Sequence, residues 1–292
     1  MEVVPFLLLR RKPLTLQSEI DKCHVLFSIF TLRYFDFKEK YKMTSLPRGQ
    51  AMIINIKEFD DPNLKRKGSE FDRRDMKKLL EKKLHFTVTV KDDLSLEEMQ
   101  KNLDEFSKRP EHKYGDCCVV VIMSHGYQGS GSDPKTSSPF VISCSDGKTL
   151  EVEWIIQKFN TVESLKGKPK VFIVQACRAK GSQSFEQIFG DIGNPGRFAT
   201  DTNNLGGVTV PTDTFVAIST SPYNVSYRDE EEGTLFIQTI CSVFNEFAGE
   251  MDFVGLMRKV HDEVDKLAGE GNVEQSPELS IRGKSKVLYF NP

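Results

Sequence analysis

Two short apolar runs constrain the fold of this chain most strongly, because each ends abruptly in polar residues with reactive side chains. Val119–Met123 runs into Ser124–Gly126, and Val171–Val174 runs into Gln175–Arg178. A short apolar run without polar alternation is typical of a strand buried on both faces, as in a parallel sheet. Open α/β sheets build their functional sites at the carboxyl ends of such strands. The two runs therefore predict that a histidine and a cysteine meet at one edge of a sheet.

Predicted strands and helices alternate along the rest of the chain from residue 51 onward. Ser69 is a candidate N-cap of the first helix, with Asp72 three residues later, and Ser95 opens the second helix. Alternation of this kind predicts an α/β fold with a parallel sheet and helices on both faces. The further predicted strands cover 51–56, 86–90, 215–220 and 287–290, and the predicted helices cover 69–84, 95–106, 151–159, 233–247 and 253–267.

The composition is that of an ordinary soluble globular protein, with 38% hydrophobic and 28% charged residues among 292. A formal net charge of −2 argues against a nucleic-acid partner, which needs a concentrated basic face. No stretch reaches the roughly 18 consecutive apolar residues that a membrane span requires. The six cysteines follow neither a disulfide nor a zinc spacing. We therefore expect reduced thiols, no metal or other cofactor, and a cytoplasmic location.

Two segments lack a regular pattern. Residues 1–43 mix apolar patches with basic residues, and we interpret them as a leader or an isoform-specific start. A short amphipathic docking or membrane-surface segment is the alternative interpretation of the same residues. Residues 180–213 are rich in glycine and asparagine, and this composition predicts a flexible connection. A stretch of this length without a pattern is usually functional when it lies inside a compact domain.

Cys177 and His125 are the candidates for nucleophilic catalysis. A cysteine at an exposed strand end becomes reactive when a neighbouring histidine takes its proton. Gly126 has no side chain, so its N–H can approach an oxyanion closely, together with the N–H of Cys177. The plainer interpretation is an inert core cysteine and a structural histidine. Nucleotide binding is disfavoured, because residues 132–134 interrupt the phosphate-binding glycine patterns that begin in 126–131.

From Arg48 to Tyr289 the chain resembles the caspases. The resemblance implies a three-layer α/β sandwich with a mostly parallel six-stranded sheet and helices on both faces. It also implies a cysteine endopeptidase in which Cys177 is the nucleophile and His125 transfers the proton. In that comparison Gly126 and Cys177 supply the N–H groups that hold the oxyanion. Four motifs in order carry the resemblance: RGQAMIIN at 48–55, SHG at 124–126, QACR at 175–178, and SYR at 226–228 with FIQ at 236–238.

The same resemblance implies a substrate pocket for aspartate. Arg66, Gln175 and Arg228 match the pocket residues of the family. Two guanidinium groups and an amide can hold one carboxylate by bidentate, charge-assisted hydrogen bonds. The expected partners are therefore proteins with an aspartate before the scissile bond, cleaved in apoptotic or related signalling.

Caspases are made as zymogens and are cut after aspartates between a large and a small subunit. By resemblance, the cut is expected in the 180–213 linker, after Asp201 as first choice or Asp191 as second. This divides the domain into a large-subunit region, 44–201, and a small-subunit region, 202–292. It also implies a homodimer of processed heterodimers, with other caspases as further partners.

Two readings other than a peptidase remain open. A non-cleaving regulator with the caspase fold would bind an active caspase, and Ala179, which replaces the family's usual glycine, motivates this alternative. The retention of both Cys177 and His125 argues against it. A plain α/β binding module is the other alternative, and it would leave Cys177 and His125 apart.

Overall fold

A mixed six-stranded sheet runs through the part of the chain that the computed structural model describes, residues 39–129, 139–179 and 211–292. All neighbouring strands are parallel except the last strand, which is an antiparallel edge. The predicted fold class is therefore confirmed. In spatial order the strands are β11 (Glu278–Arg282), β8 (Thr214–Ile218), β7 (Lys170–Gln175), β3 (Cys117–Met123), β1 (Gly49–Asn55) and β2 (Thr87–Asp92).

Helices pack on both faces of this sheet and form two separate cores. Alternate residues of β3 point to opposite faces, so Val121 belongs to one core and Ile122 to the other. There are five such helices: α1 (Ser69–Lys78), α2 (Leu96–Ser107), α3 (Val152–Asn160), α4 (Leu235–Phe247) and α5 (Phe253–Glu270). The core of Val121 is covered by α1, α4 and α5, and the core of Ile122 by α2 and α3.

The start of α2 agrees with the prediction, whereas the start of α1 does not. Ser95 caps α2, because its hydroxyl accepts the N–H of Glu98 while the Glu98 carboxylate accepts the N–H of Ser95. The prediction of Ser69 as the cap of α1 was wrong: the N-cap is Gly68, at φ 86°, and Ser69 is the first helical residue. A Cβ at position 68 would lie only 2.4 Å from the carbonyl oxygen of Asp229. Tertiary packing therefore sets the start of α1.

The prediction of a closing strand at 287–290 was also wrong. The sheet ends instead on the earlier strand β11, and only Val287 in the later segment forms an isolated bridge, with Lys40. Leu288 and Phe290 alternate with more exposed residues because they fill the core beneath α5. The apolar alternation that suggested a strand thus reflects side-chain burial without a ladder of hydrogen bonds.

Two small sheets were not predicted. The first is antiparallel and consists of β4 (Gly126–Gln128), β5 (Phe140–Ser143) and β6 (Thr149–Glu151), so β4 begins directly behind the histidine that follows β3. The second is a hairpin of β9 (Arg228–Asp229) and β10 (Gly233–Thr234). Both extend from the carboxyl-end edge of the central sheet region, and they bring Gly126 and Arg228 into the site described next.

The compact unit begins at Lys40. Tyr41 and Met43, at the end of the segment predicted as a leader, are both buried in the core covered by α1, α4 and α5. The Tyr41 hydroxyl donates a hydrogen bond to Asp213, 2.7 Å away, just before β8. The residues immediately before Arg48 therefore contribute to the stability of the domain.

Candidate active site

The two residues predicted to carry the chemistry follow neighbouring strands. β3 and β7 are parallel, with Met123 beside Gln175, and the N–H of Ser124 donates to the carbonyl of Gln175 at 3.0 Å. The chain therefore leaves both strands at the same level of the sheet. His125 and Cys177 lie in these two departing segments, as the sequence predicted.

The imidazole of His125 is held in one orientation. Its Nε2 lies 2.8 Å from the carbonyl oxygen of Leu64, and its ring packs against Phe59 with centroids 5.2 Å apart. Because a carbonyl only accepts hydrogen bonds, Nε2 carries the hydrogen in the neutral ring, and Nδ1 is then the atom that can accept a proton.

His125 is neutral at pH 7. Burial, together with the positive charges of Arg66 and Arg228, lowers its pKa to about 4 against the opposing hydrogen bond to Leu64. A neutral imidazole is the form that can take a proton from a thiol. The electrostatics of the site thus leave His125 in the basic form.

Cys177 differs from the other described cysteines in being only partly buried. Its Sγ accepts a hydrogen bond from the N–H of Ser226 at 3.4 Å and lies 3.7 Å from the carbonyl oxygen of the same residue. Its four counterparts are buried, and burial raises the pKa of each of their thiols, which keeps them protonated and inert. These buried residues are Cys117, Cys118, Cys144 and Cys241.

The backbone of Gly126 faces the segment that carries the thiol. In the pairing of β4 with β5, the N–H of Ser143 donates to the carbonyl of His125, so the N–H of Gly126 points to the opposite side. Gln128 has the same orientation as Gly126, and its N–H donates to the carbonyl of Ala179 at 3.1 Å. The N–H of Gly126 is therefore directed toward the segment that leaves β7.

Position 126 has no room for a side chain. A Cβ there would lie 2.8 Å from the carbonyl oxygen of Val141, 2.9 Å from the Cβ of Ala176 and 3.0 Å from the carbonyl oxygen of Cys177. Glycine thus allows the backbone of β4 to approach the backbone of Cys177 closely. Both N–H groups predicted to hold an oxyanion lie on these closely packed segments.

Arg66 and Arg228 lie on separate segments that converge near the thiol. The Arg66 side chain is 1% exposed, and its Nη1 donates to the carbonyl of Ile56 at 2.8 Å. The Nε of Arg228 donates to the carbonyl of Lys67, also at 2.8 Å. Neither guanidinium has an ion-pair partner in the described ranges, although their charges interact with each other and with Cys177. Two guanidinium groups whose donors are not taken up by an ion pair form a site that favours a carboxylate.

Burial, together with repulsion from Arg228, lowers the pKa of Arg66 to about 9. Burial also lowers the pKa of Arg228. A guanidinium with a pKa of about 9 is still charged at neutral pH. The pocket is therefore electropositive in the absence of substrate.

Gln175 is the third predicted pocket residue. Its Nε2 donates to the hydroxyl of Ser226 at 2.8 Å, while its Oε1 is buried without a hydrogen-bond partner among the described residues. Ser226 therefore contacts both Gln175 and Cys177 and connects the pocket to the thiol. The charges of Arg66 and Arg228 act on both Cys177 and His125, Gly126 packs against the backbone of Cys177, and Ser226 connects Cys177 to Gln175. The six predicted site residues therefore lie in one region of the structure.

Known proteins have sequences similar to the part of the chain that forms this site. Residues 48–289 match the caspase domain. The chain belongs to the caspase family. It is 32% identical to caspase a of Danio rerio over 269 residues, which cover 88% of this chain and 64% of the relative. It is 36% identical to caspase-1 of Rattus norvegicus over 230 residues (76% and 55%) and 31% identical to caspase-9 of Homo sapiens over 245 residues (77% and 58%).

The match covers nearly the whole unit that carries the sheet, so the caspase family explains the fold and the positions of the motifs. The chain spans 55% to 64% of the length of these caspases. Its membership places it in a family of cysteine peptidases. In the part of the chain that is described, no helix is long and apolar enough to cross a membrane, and no cluster of side chains could hold a metal.

Sequence reasoning missed three contributors to this caspase site. Leu64 orients the histidine through its carbonyl, and Ser226 contacts both the thiol and Gln175. Asp72, assigned to a helix start, is instead buried beside the Arg228 hairpin. A backbone carbonyl has no sequence signal, whereas Ser226 is the first residue of the SYR motif at 226–228 and could have been given a role. The predicted processing residues, Asp191 and Asp201, lie outside the described residues.

Proposed function

We propose that this caspase is a cysteine endopeptidase that cleaves proteins after aspartate. The observation that carries the proposal is the pair of guanidinium groups, Arg66 and Arg228, which have no ion-pair partner among the described residues and lie beside Cys177. Family membership supports the same conclusion. A peptidase of this kind needs a nucleophile, a proton carrier, an oxyanion site and a pocket, and each has a candidate here.

In the proposed reaction Nδ1 of His125 takes the proton of the Cys177 thiol. The sulfur attacks the carbonyl carbon, and the N–H groups of Gly126 and Cys177 stabilise the negative oxygen. The C–N bond then breaks as the imidazolium returns the proton to the leaving amine. Water hydrolyses the remaining thioester, with His125 again accepting a proton. No metal or other cofactor takes part in this scheme.

Specificity follows from the charge of the pocket. An aspartate carboxylate can accept hydrogen bonds from both guanidinium groups, and Gln175 adds an amide. A neutral asparagine would leave buried cations unpaired, and a polar site of this type rejects the wrong side chain by roughly 10⁴-fold. We therefore expect strong discrimination between two nearly isosteric substrates.

We further propose that the chain is a cytoplasmic zymogen in apoptotic or related signalling. Its own activity, or that of another caspase, would cut the 180–213 linker after Asp201 or Asp191. The products would be a large subunit ending at Asp201 and a small subunit from residue 202, with processed heterodimers pairing into a homodimer. These assignments rest on the resemblance to the family.

The test compares the purified wild type with Cys177→Ala and with Cys241→Ala, a control at a buried thiol. Peptides with aspartate or asparagine before the scissile bond are assayed, and the chains are analysed by mass spectrometry. We expect the wild type and the control to cleave only the aspartyl peptide, and Cys177→Ala to lose about 10⁴-fold or more in kcat.

Cleavage by Cys177→Ala at the wild-type rate would disprove the assignment of Cys177 as the nucleophile. Self-cleavage after Asp201 or Asp191 only in chains that retain Cys177 would support the proposal that the chain is a zymogen. If the wild type stays inactive after an active caspase has cut its linker, the non-cleaving regulator becomes the better interpretation.

A further inference from the structure

Asp72 is a buried carboxylate that the proposed reaction does not use. Its side chain is fully buried, and Oδ1 accepts hydrogen bonds from the N–H of Thr234 at 2.8 Å and from Nε2 of Gln238 at 3.1 Å. Its Oδ2 has no hydrogen-bond partner among the described residues. A Cβ at Gly233 would lie 2.4 Å from Oδ1, so the absence of a side chain at Gly233 allows the hairpin backbone to pack against this carboxylate.

The contacts of Asp72 join the two segments that carry the pocket cations. Asp72 belongs to α1, which begins three residues after Arg66. Thr234, its partner, lies directly opposite Arg228 in the β9–β10 pair. One carboxylate therefore connects the helix that follows the first arginine to the hairpin that carries the second. The bond from Nε of Arg228 to the carbonyl of Lys67 is a second tie between the same segments.

Each element that packs against Asp72 contributes a titratable group. The segment before α1 contributes Arg66, the hairpin contributes Arg228, and α4 contributes the neutral thiol of Cys241. On its own helix Asp75 lies one turn further along and pairs with an exposed arginine. The charges of the two pocket guanidinium groups thus interact with the carboxylate of Asp72.

Asp72 attracts both cations without occupying their donors, since it forms an ion pair with neither. The donors stay available for a substrate. With an aspartate side chain bound, the cluster would contain two positive and two negative charges and would be balanced. Without Asp72, the buried guanidinium of Arg66 and the half-buried one of Arg228 would face one carboxylate, and their mutual repulsion would be less compensated.

We propose that Asp72 is a positioning residue for the aspartate pocket: its ionised carboxylate fixes the Arg228 hairpin against the Arg66 segment and balances the pocket charge. The inference rests on the proposed function, because it assigns Asp72 to the substrate pocket of that reaction. It predicts an effect on substrate binding and a smaller effect on the chemical step.

The protonation of Asp72 gives the inference a signature in pH. Burial raises its pKa to about 6, against the opposing bonds from Thr234 and Gln238 and the charge of Arg66. Below that pH the acid is neutral and no longer attracts the hairpin or the cations. Binding of an aspartyl substrate should therefore weaken as the pH falls through about 6, while His125, with its pKa near 4, stays neutral over the same interval.

The test measures kcat and KM on an aspartyl peptide for the wild type, Asp72→Asn and Asp72→Ala between pH 5 and 8. Asp104→Asn is the matched control, because Asp104 lies on another helix and, among the described residues, forms ion pairs with Lys108 and Lys158 and none with the pocket arginines. For Asp72→Ala we expect KM to rise on the order of 10-fold or more at pH 7.5 with kcat nearly unchanged.

Asp72→Asn removes the charge but keeps an acceptor for the N–H of Thr234. It therefore separates the loss of the charge from a general loosening of the fold, which alanine could also cause. We expect it to raise KM by a smaller factor and to remove the acid limb near pH 6 from kcat/KM. The inference is overturned if Asp72→Asn keeps the wild-type KM together with the wild-type acid limb.

A second readout separates this inference from the proposed function. Amide hydrogen exchange at Thr234 reports the tie between α1 and the hairpin whether or not any peptide is cut. Faster exchange at this amide in Asp72→Ala, and not in Asp104→Asn, is expected. An inactive wild type with that pattern would refute only the proposed function, whereas unchanged exchange at Thr234 would refute the positioning role of Asp72.

Discussion

Gly126 is a site residue whose identity is fixed by its surroundings. Three atoms, on Val141, Ala176 and Cys177, lie within 2.8 to 3.0 Å of where its Cβ would be. Two of these are backbone atoms, which cannot rotate away. Any side chain here must push β4 away from the segment that carries the thiol.

We predict that Gly126→Ala lowers kcat on an aspartyl peptide by roughly 10²-fold, because its N–H moves away from the oxyanion. The added methyl should also lower the free energy of unfolding by about 1–3 kcal/mol, as overpacking does. Steady-state kinetics and denaturant titration measure the two effects separately. Gly269→Ala serves as the control, since its Cβ would meet no atom within 4 Å. Wild-type kcat in Gly126→Ala would contradict the assigned role.

At the scale of single residues, the sequence indicates which side chains can react better than it indicates what surrounds them. Cys177 and His125 stand at the ends of apolar runs, and their position alone indicates a site. The role of Arg66 and Arg228 could be taken only from the family resemblance, because an isolated arginine carries no signal of burial. Asp72 lies in the first turn of α1, as predicted, but its contact with Thr234 was missed because the two residues are 162 positions apart.

The secondary-structure elements were predictable where burial and periodicity agree. β3 is apolar at every position, β7 is apolar between its polar ends, and α2 carries its own capping signal in Ser95 and Glu98. β4 and the β9–β10 hairpin were missed because two or three residues are too few for a periodic pattern. Their pairing is decided by distant segments.

The segment after Lys284 is the clearest case of a pattern with two meanings. The alternation in 287–290 is that of a strand, yet Phe290 lies against three aromatic rings of the core. Its ring centroid is 5.9 Å from those of Phe244 and Phe253 and 6.2 Å from that of Phe86. This segment therefore contributes to the core through its side chains although it forms no strand of the sheet.

We predict that Phe290→Ala lowers the free energy of unfolding by about 3–5 kcal/mol, the usual range for a buried aromatic ring. Leu267→Ala, at a position 41% exposed on α5, should change it by about 0.5 kcal/mol or less. Denaturant titration followed by tryptophan fluorescence measures both, since Trp154 lies in the described domain. Equal effects of the two substitutions would indicate that 287–290 does not pack in solution as it does here.

At the scale of the whole molecule, the order of the strands determines what a cut in the linker can do. β7 ends before the linker and β8 begins after it, yet the two are neighbours in the sheet, with Val171 beside Phe215 and Ile173 beside Ala217. The helices after the linker also pack with α1, which precedes it: Phe236 and Ile240 share a core with Met76. The two regions thus form one core around one sheet.

We therefore predict that a chain cut after Asp201 or Asp191 stays together. Cys177→Ala cut by an active caspase should give two fragments by mass spectrometry under denaturing conditions and one species of about the intact 33.2 kDa, or a multiple of it, by native light scattering. Unfolding then becomes bimolecular, so the Tm of the cut chain should rise with protein concentration, while that of an intact monomer does not. The uncut Cys177→Ala chain is the control, measured over the same concentrations. Fragments that separate under native conditions would mean that the covalent connection, and not the shared sheet and core, holds β7 and β8 together.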